Sequence, residues 1–167
     1  MTIPLARARA FAVAAHGEQR YGDQPYAVHL DAVATLLAPF GEEAQVVGYL
    51  HDVVEDTAVS LDVLRTEFGE RVAKLVALVT DEPGPNRRER KARGNAKLAA
   101  VTDDDSLALV VKAADRLANL RASAAGGADS KLGMYRREHP EFRRAACRPG
   151  LCDDLWREIE AVIGPNG

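Results

Sequence analysis

The chain has 167 residues, 47% of them hydrophobic, which is enough for one domain with a buried core. Its formal net charge of −3 argues against a surface devoted to nucleic acid, because such a surface is strongly electropositive. Its two cysteines are too few for a disulfide framework, and no run of residues has the length of a membrane-spanning helix or the pattern of a signal peptide. We therefore predict a single cytoplasmic domain over residues 1–167, with reduced thiols and with no nucleic-acid or membrane partner.

Apolar residues recur at helical spacing through the first half of the chain, and turn formers separate the periodic segments. Proline in the first turn favours a helix start near residue 4, and Ser60 is a typical N-cap. The predicted elements are, in chain order, a helix from about Pro4 to His16, a loop over 17–25, a helix over 29–37, a nearly all-buried helix from Glu42 to Glu55, a short helix between Ser60 and Gly69, and a helix over 72–79.

The second half of the chain begins with residues 80–86, which interrupt the periodicity. The run over 87–93 then opens a strongly basic helix, which suits either a solvated face or phosphate binding. Further helices are predicted over 107–120, 132–144 and 151–162, and the apolar face of the last belongs to the core or to a dimer interface. No segment alternates with period two between turn signals, so we predict an all-α fold of roughly eight helices.

The densest chemistry lies in residues 51–57, which read His-Asp-Val-Val-Glu-Asp-Thr and place one imidazole and three carboxylates within seven residues. Because side chains three or four apart share a helix face, Glu55 is expected over His51. By the same spacing, Asp56 is expected over Asp52. This much ligand and acid–base capacity on one helical edge indicates a metal site or a reaction. The alternative is that Glu55 and Asp56 only cap the next turn.

Metal ligands are expected from three segments of the chain. Two imidazoles and two carboxylates leave open positions for water and substrate on a divalent ion, which suits manganese or iron better than zinc or magnesium. A lone histidine is usually packed or exposed, and that is the expectation for His16 and His139. For Asp115, the alternative to ligation is an ion pair with Arg116 on a helix surface. The candidate ligands are His29, His51, Asp52 and Asp115.

These candidates lie in four blocks that occur in order and at compatible spacing, namely residues 25–29 (Pro-Tyr-Ala-Val-His), 50–57, 68–69 with 79–80, and 112–121. Over about residues 5–125 the series resembles the HD-domain phosphohydrolases. Within that superfamily it is similar to the hydrolase domain of the bifunctional alarmone synthetase/hydrolases and to the stand-alone small alarmone hydrolases, and no segment resembles a synthetase domain. The resemblance implies the all-α HD-domain helical fold.

The resemblance also implies a reaction and the residues that carry it. The four candidate ligands would hold one Mn²⁺, and Glu55 with Asp56 would form the catalytic pair, with their individual roles open. The expected reaction is removal of the 3′-pyrophosphate from a nucleotide such as ppGpp by attack of water on phosphorus. A divalent ion lowers the pKa of bound water and neutralises phosphoryl charge, while a nearby carboxylate positions or deprotonates the water.

Further residues are expected to contact the nucleotide. Many members of the family carry two basic residues before the Pro-Tyr pair, where this chain reads Arg-Tyr-Gly-Asp. Tyr21 is therefore expected to stack on a purine, and the base is open between guanine (ppGpp) and adenine (ppApp). Asn119 lies one turn beyond Asp115 and can bond the ribose or a phosphate. The predicted substrate contacts are Arg20, Tyr21, Lys91, Asn119 and Tyr135, with Arg87, Arg88, Arg90 and Lys112 as further cations for the phosphates.

Two other functions are compatible with the sequence. One keeps the chemistry and changes the substrate, as in an HD-domain phosphatase that acts on NADPH or on another 2′- or 3′-phosphorylated nucleotide. The other is a catalytically silent nucleotide-binding sensor, against which the full set of ligands and carboxylates argues. The sequence leaves homo-oligomerisation and the identity of the metal open.

Overall fold

A computed structural model describes residues 5–165, and the predicted helix start at Pro4 lies outside them. Over the described residues the chain forms ten α-helices and one short hairpin, which confirms the all-α fold. None of these described helices combines the length and the apolar character needed to cross a membrane. The elements are α1 (Leu5–His16), β1 (Arg20–Tyr21), β2 (Gln24–Pro25), α2 (Ala27–Leu37), α3 (Glu42–Leu50), α4 (Val53–Asp56), α5 (Leu61–Phe68), α6 (Glu70–Val79), α7 (Arg87–Ala99), α8 (Leu107–Ala125), α9 (Asp129–Ala146) and α10 (Asp153–Ile163).

The prediction of one helix from Glu42 to Glu55 is wrong in its middle, where residues 51 and 52 form a turn between α3 and α4. In a continuous helix the carbonyl of Gly48 would accept from the backbone N–H of residue 52. Here that carbonyl accepts a hydrogen bond from Nδ1 of His51 at 2.6 Å. The backbone at residue 52 departs to φ −103° and ψ −4°. The side chain of His51 thus helps to end the helix that carries it.

The predicted loop over residues 17–25 contains the two-residue strands β1 and β2, which pair with Tyr21 opposite Gln24. Gly22, at the tip of this hairpin, has φ +62°, a left-handed conformation that glycine adopts without steric cost. Strands of two residues are too short to show alternation, which is why periodicity does not predict them. The hairpin leads directly into α2 and stacks the ring of Tyr21 on the imidazole of His29.

Helix α8 lies at the centre of the fold. It is buried along most of its length and packs against α2, α3, α6, α9 and α10. Small side chains at Ala113 and Ala114 allow those neighbours to approach it closely. Helix α10 buries Leu155, Trp156 and Ile159 in the same hydrophobic cluster. Of the two alternatives for the apolar face of α10, the structure therefore favours the core.

The two histidines expected to be packed are both buried. Nε2 of His139 lies 3.0 Å from Oε1 of Glu160, across the contact between α9 and α10. Nδ1 of His16 lies 2.8 Å from Oε1 of Gln19, just after the end of α1. Each of these buried histidines therefore has a polar partner within hydrogen-bond distance.

Helices α2 and α3 are in close contact at Gly48. A Cβ added there would lie 2.5 Å from Cδ1 of Leu37 and 3.5 Å from Cγ1 of Val33. Both neighbours are fully buried, so neither can move aside without disturbing the packing around it. The absence of a side chain at Gly48 therefore sets the spacing of the two helices that lead to His29 and His51.

We expect Gly48→Ala to lower the free energy of unfolding by up to about 2 kcal/mol, because overpacking costs roughly 1–3 kcal/mol and the gain in helix propensity offsets about 1 kcal/mol of it. The matched control is Gly133→Ala on α9, where the nearest atom, Nη1 of Arg137, lies 3.4 Å from the added Cβ. That variant should gain up to about 1 kcal/mol. Urea denaturation of both variants measures the difference, and equal changes in stability would contradict close packing at Gly48.

Candidate metal centre

The four predicted ligands meet between α2, α8 and the turn that joins α3 to α4. The Nε2 atoms of His29 and His51 lie 3.4 Å apart. Oδ1 of Asp115 is 3.1 Å from Nε2 of His29 and 3.4 Å from Nε2 of His51. Oδ2 of Asp52 is 3.0 Å from Nε2 of His51. Both histidines are only 2% exposed, so these contacts lie in a nearly dry part of the molecule.

Hydrogen bonds from neighbouring groups fix the orientation of three of these side chains. Because a carbonyl can only accept, Nδ1 of His51 carries the proton in its bond to the backbone, which leaves Nε2 free to face the cluster. The hydroxyl of Tyr26 donates to Oδ2 of Asp52 at 2.5 Å. Burial and the charge of Asp52 raise the pKa of Tyr26, so this hydroxyl keeps its proton. Nδ2 of Asn119 donates to Oδ1 of Asp115 at 2.8 Å. Outer bonds of this kind are typical of metal ligands.

The charges of the cluster favour a cation. Burial opposes the ionisation of Asp52, but the imidazole of His51 outweighs it and lowers the pKa of Asp52 to about 2. Burial also opposes the ionisation of Asp115, yet His51 and His29 hold its pKa well below the usual range. The two carboxylates raise the pKa of His51 well above its usual value in spite of burial. A divalent cation competes with that proton for the same atoms, and two imidazoles with two ionised carboxylates are a donor set that suits it.

The two predicted catalytic carboxylates line the same cavity as the cluster, with a separate support for each. Oε1 of Glu55 accepts from the backbone N–H of Asp81 at 2.7 Å. Desolvation of its carboxyl group raises the pKa of Glu55, and the charges of Asp81 and Asp52 raise it further. Oδ2 of Asp56 accepts from Nε2 of Gln19 at 2.9 Å. The two carboxylates are therefore adjacent in sequence but differ in environment.

A cavity of about 160 Å³ opens over the cluster. Three of the predicted substrate contacts line it, namely Lys91, Asn119 and Tyr135. Arg20 lies on β1, where its guanidinium group donates to the carbonyl of Asp23 within the hairpin. Of the further cations, Arg87 and Lys112 line the cavity, whereas Arg88 and Arg90 line neighbouring grooves.

Tyr21 lies beside the cluster, with one face of its ring stacked on the imidazole of His29 at a centroid distance of 4.7 Å and an interplanar angle of 21°. Its hydroxyl donates to Oδ1 of Asn119 at 2.7 Å. A purine would therefore have to meet the opposite face or the edge of the Tyr21 ring. Asn119 uses both ends of its amide, because its Nδ2 donates to Asp115. These two predicted substrate contacts thus also support proposed metal ligands.

Asp81 is a cavity residue that the sequence pattern did not single out. Its carboxylate accepts from Nζ of Lys91, and its Oδ1 lies 3.5 Å from Nζ of Lys112. Burial opposes its ionisation, but the two lysines lower the pKa of Asp81 below its ordinary value. In the sequence, Asp81 lies near the start of the turn-rich break over 80–86. This break has no periodicity from which its position near the site could be predicted.

Glu138 and Arg116 were missed for a different reason, since their contacts join three helices that are distant in sequence. Glu138 on α9 pairs with Arg87 on α7 through N–O contacts of 2.7 and 3.3 Å, and its Oε2 is 3.5 Å from Nη2 of Arg116 on α8. The guanidinium group of Arg116 also lies over the rings of Tyr135 at 4.8 Å and Phe142 at 4.3 Å. Arg87 and Arg116 line the cavity, whereas Glu138 lies in the neighbouring groove, and only the tertiary structure brings the three together.

The helical fold brings two histidines and two aspartates together at one cavity, and a family model described as an HD domain matches residues 7–139. Because that match covers most of the chain, the protein belongs to the HD-domain family. Its fold is similar to that of a solved structure described as a metazoan ortholog of SpoT that hydrolyzes ppGpp and plays a role in starvation responses. That similarity has a TM-score of 0.70 and 26% identity, over 95% of this chain and 98% of the other.

Two curated relatives carry different names. The chain is 36% identical over 162 residues to a Synechocystis sp. protein named probable guanosine-3′,5′-bis(diphosphate) 3′-pyrophosphohydrolase, a match that covers 93% of this chain and 21% of that protein. It is 40% identical over 175 residues to a Mycobacterium leprae protein named probable GTP pyrophosphokinase, over 95% of this chain and 21% of that protein. The chain thus spans about a fifth of the length of these relatives.

We expect Tyr26→Phe to weaken the binding of Mn²⁺ by roughly 10- to 100-fold, because Asp52 loses the hydroxyl that orients it. The matched control is Tyr49→Phe, which removes a hydroxyl that donates to Asp31 at 3.0 Å, outside the cluster. Isothermal titration of each variant with Mn²⁺ gives the dissociation constants. Equal affinities for the two variants would show that the Tyr26 hydroxyl does not orient a ligand.

Proposed function

We propose that this chain is a divalent-metal-dependent hydrolase that removes the 3′-pyrophosphate of a purine alarmone nucleotide, ppGpp or ppApp, and that manganese is its ion. The observation that carries the proposal is that two histidines and two aspartates meet beside one cavity, which Glu55 and Asp56 also line. The names of the Synechocystis protein and of the metazoan SpoT ortholog support the choice of an alarmone as substrate. The name of the M. leprae relative refers to a kinase reaction on GTP, and this chain spans only about a fifth of the length of that relative.

In the proposed site, His29, His51, Asp52 and Asp115 hold the ion. When bound, a divalent ion stabilises charge on phosphoryl oxygens and makes water more acidic. The protein contributes the orientation of these ligands, because the carbonyl of residue 48 bonds the far nitrogen of His51, and Tyr26 and Asn119 donate to the carboxylate oxygens that face the histidines. It also contributes burial, which keeps the electrostatic interactions strong.

Glu55 and Asp56 are the proposed acid–base pair. The raised pKa of Glu55 brings its proton affinity closer to neutral pH, which is the range in which a general base or acid is most effective. Asp56 accepts a hydrogen bond from the amide of Gln19 at the same cavity. We propose that one of the two orients or deprotonates the attacking water and that the other handles the proton of the leaving group, with the division between them left to experiment.

Cations along the cavity wall suit a substrate with several phosphates. The cavity contains Arg87, Lys91, Lys112 and Arg116, and each of them is paired with an acid of the chain, either Asp81 or Glu138. Phosphate oxygens can replace or join these acids, since arginine and lysine make charge-assisted bonds to both. The arrangement is therefore suited to an anionic ligand that reaches beyond the metal cluster.

The first experiment is turnover of ppGpp, ppApp and NADPH by the Mn²⁺-loaded protein, with chromatographic identification of the products and a chelator control. Release of pyrophosphate from either alarmone, abolished by the chelator, is the expected result, and the faster of the two identifies the preferred base. Orthophosphate release from NADPH alone would replace the proposal with a nucleotide phosphatase. Binding of a nucleotide without turnover would favour a sensor.

Two substitutions should separate metal binding from chemistry. Asp52→Ala should abolish both Mn²⁺ binding and turnover, because it removes a proposed ligand. Glu55→Gln should keep the Mn²⁺ affinity and lower kcat by roughly 10²- to 10⁴-fold, the range of general acid–base catalysis. Glu18→Gln, the same change at an exposed position of the loop after α1, is the control that should leave both unchanged. Turnover by a metal-free Asp52→Ala protein would refute the mechanism.

A further inference from the structure

Gln19 connects the end of α1 to one of the two proposed catalytic carboxylates. Its Nε2 donates to Oδ2 of Asp56 at 2.9 Å, and its Oε1 lies 2.8 Å from Nδ1 of His16. The three side chains thus form a continuous chain of hydrogen bonds from the buried end of α1 to the mouth of the cavity. Neither His16 nor Gln19 lines the cavity that holds the metal cluster.

The backbone holds Gln19 at both of its polar groups. Its N–H donates to the carbonyl of His16 at 3.0 Å, and its carbonyl accepts from the N–H of Tyr26 at 3.1 Å. These bonds tie the residue to α1 on one side and to the start of α2 on the other. The side chain of Gln19 therefore extends from a fixed point.

The donor and acceptor pattern gives the amide of Gln19 a single orientation. An ionised Asp56 can only accept, so the NH₂ end of the amide must face it and the oxygen must face His16. His16 must then carry its proton on Nδ1. Its ring is buried and packs against the ring of Tyr26 at a centroid distance of 4.4 Å, so it cannot turn away. A flip of the amide would break both bonds at once.

A side chain, that of Gln19, bonds the carboxylate of Asp56, whereas a backbone group bonds that of Glu55. Asp56 is exposed and is the last residue of the one-turn helix α4, after which the backbone becomes extended at Thr57. An exposed aspartate at such a position can adopt several rotamers. Glu55, in contrast, accepts from the backbone N–H of Asp81. The bond from Gln19 thus selects one rotamer of Asp56.

We propose that Gln19 is a positioning residue that acts through Asp56, and that His16 holds the amide of Gln19 in the required orientation. The inference rests on the proposed function, because it assumes that Asp56 takes part in the reaction. Its consequence is that the segment between α1 and α2 sets part of the catalytic geometry. Gln19 does so from outside the cavity that holds the metal cluster.

The test is a double-mutant cycle with Gln19→Met and Asp56→Asn, assayed with the alarmone that the wild type turns over. Methionine has nearly the length of glutamine but cannot donate the hydrogen bond. We expect Gln19→Met to lower kcat roughly 10- to 100-fold, as a displaced catalytic group does, and to change KM and the Mn²⁺ dissociation constant less than about twofold. In the Asp56→Asn background the same change should cost almost nothing, because the two residues act as one unit. The matched control is Gln24→Met on the hairpin that follows Gln19, where the glutamine is exposed and its amide donates to the neighbouring Asp23, and this variant should leave kcat unchanged.

A second variant, Gln19→Glu, keeps the test decisive where the activity of Asp56→Asn is too low to measure. When protonated, the introduced carboxyl group can donate to Asp56 as the amide does, and when ionised it repels Asp56. Its kcat relative to the wild type should therefore fall as pH rises, whereas the ratio for Gln19→Met should stay constant.

The outcomes separate the two proposals. A wild type that turns over none of the nucleotides overturns the proposed function and this inference with it. If the wild type is active, either of two results overturns the inference alone. One is an unchanged kcat in Gln19→Met. The other is an equal loss of kcat from Gln19→Met in the presence and in the absence of the Asp56 carboxylate. A loss of kcat that follows a fall in melting temperature or in Mn²⁺ affinity also overturns it, because the role of Gln19 would then be structural.

Discussion

The concentration of charge between α2, α8 and the α3–α4 turn is the constraint on which the rest of the structure depends. Each of the two carboxylates has an oxygen within 3.8 Å of both imidazoles in a nearly dry setting. Groups of this kind cost several kcal/mol to bury unless positive charge and hydrogen bonds compensate them. Three segments of the chain must therefore be held rigidly, and the small side chains of α8 and the glycine at the α2–α3 contact allow the close packing that does so.

The segment between α1 and α2 supports this cluster from one side. Gln19 bonds one proposed catalytic carboxylate, Tyr21 stacks on a proposed ligand, and Tyr26 bonds another ligand. Its two short strands and the left-handed glycine at their tip fix the path of a chain that would otherwise be a flexible loop. A region in which the family resemblance predicts substrate contacts at Arg20 and Tyr21 thus serves, in large part, to support the site. This role explains why its aromatic side chains point inward.

Charge balance also shapes the cavity wall. The two lysines share Asp81 and the two arginines share Glu138, so the positive charge of the wall is partly compensated before any ligand enters. A phosphate that binds there replaces an acid of the chain as the partner of each cation. The net binding free energy from each cation is therefore smaller than the phosphate bond alone would indicate. In the proposed site, a bound ion would add to the attraction that these paired cations supply.

By itself the sequence determined the helical class and the four proposed ligands, because helical spacing and the short motifs around His29, His51 and Asp115 are local patterns. It predicted one helix through the His-Asp pair, and it failed there because a side chain, His51, takes the carbonyl that the helix would use. Only the tertiary structure decided that Asp81 returns to the cavity, that Glu138 links three helices and that Gln19 reaches Asp56. These contacts join residues that are 10 to 51 positions apart, and no helical or strand periodicity predicts such pairs. Periodicity shows which face of a helix is buried, but the packing of the helices decides which polar groups meet across them.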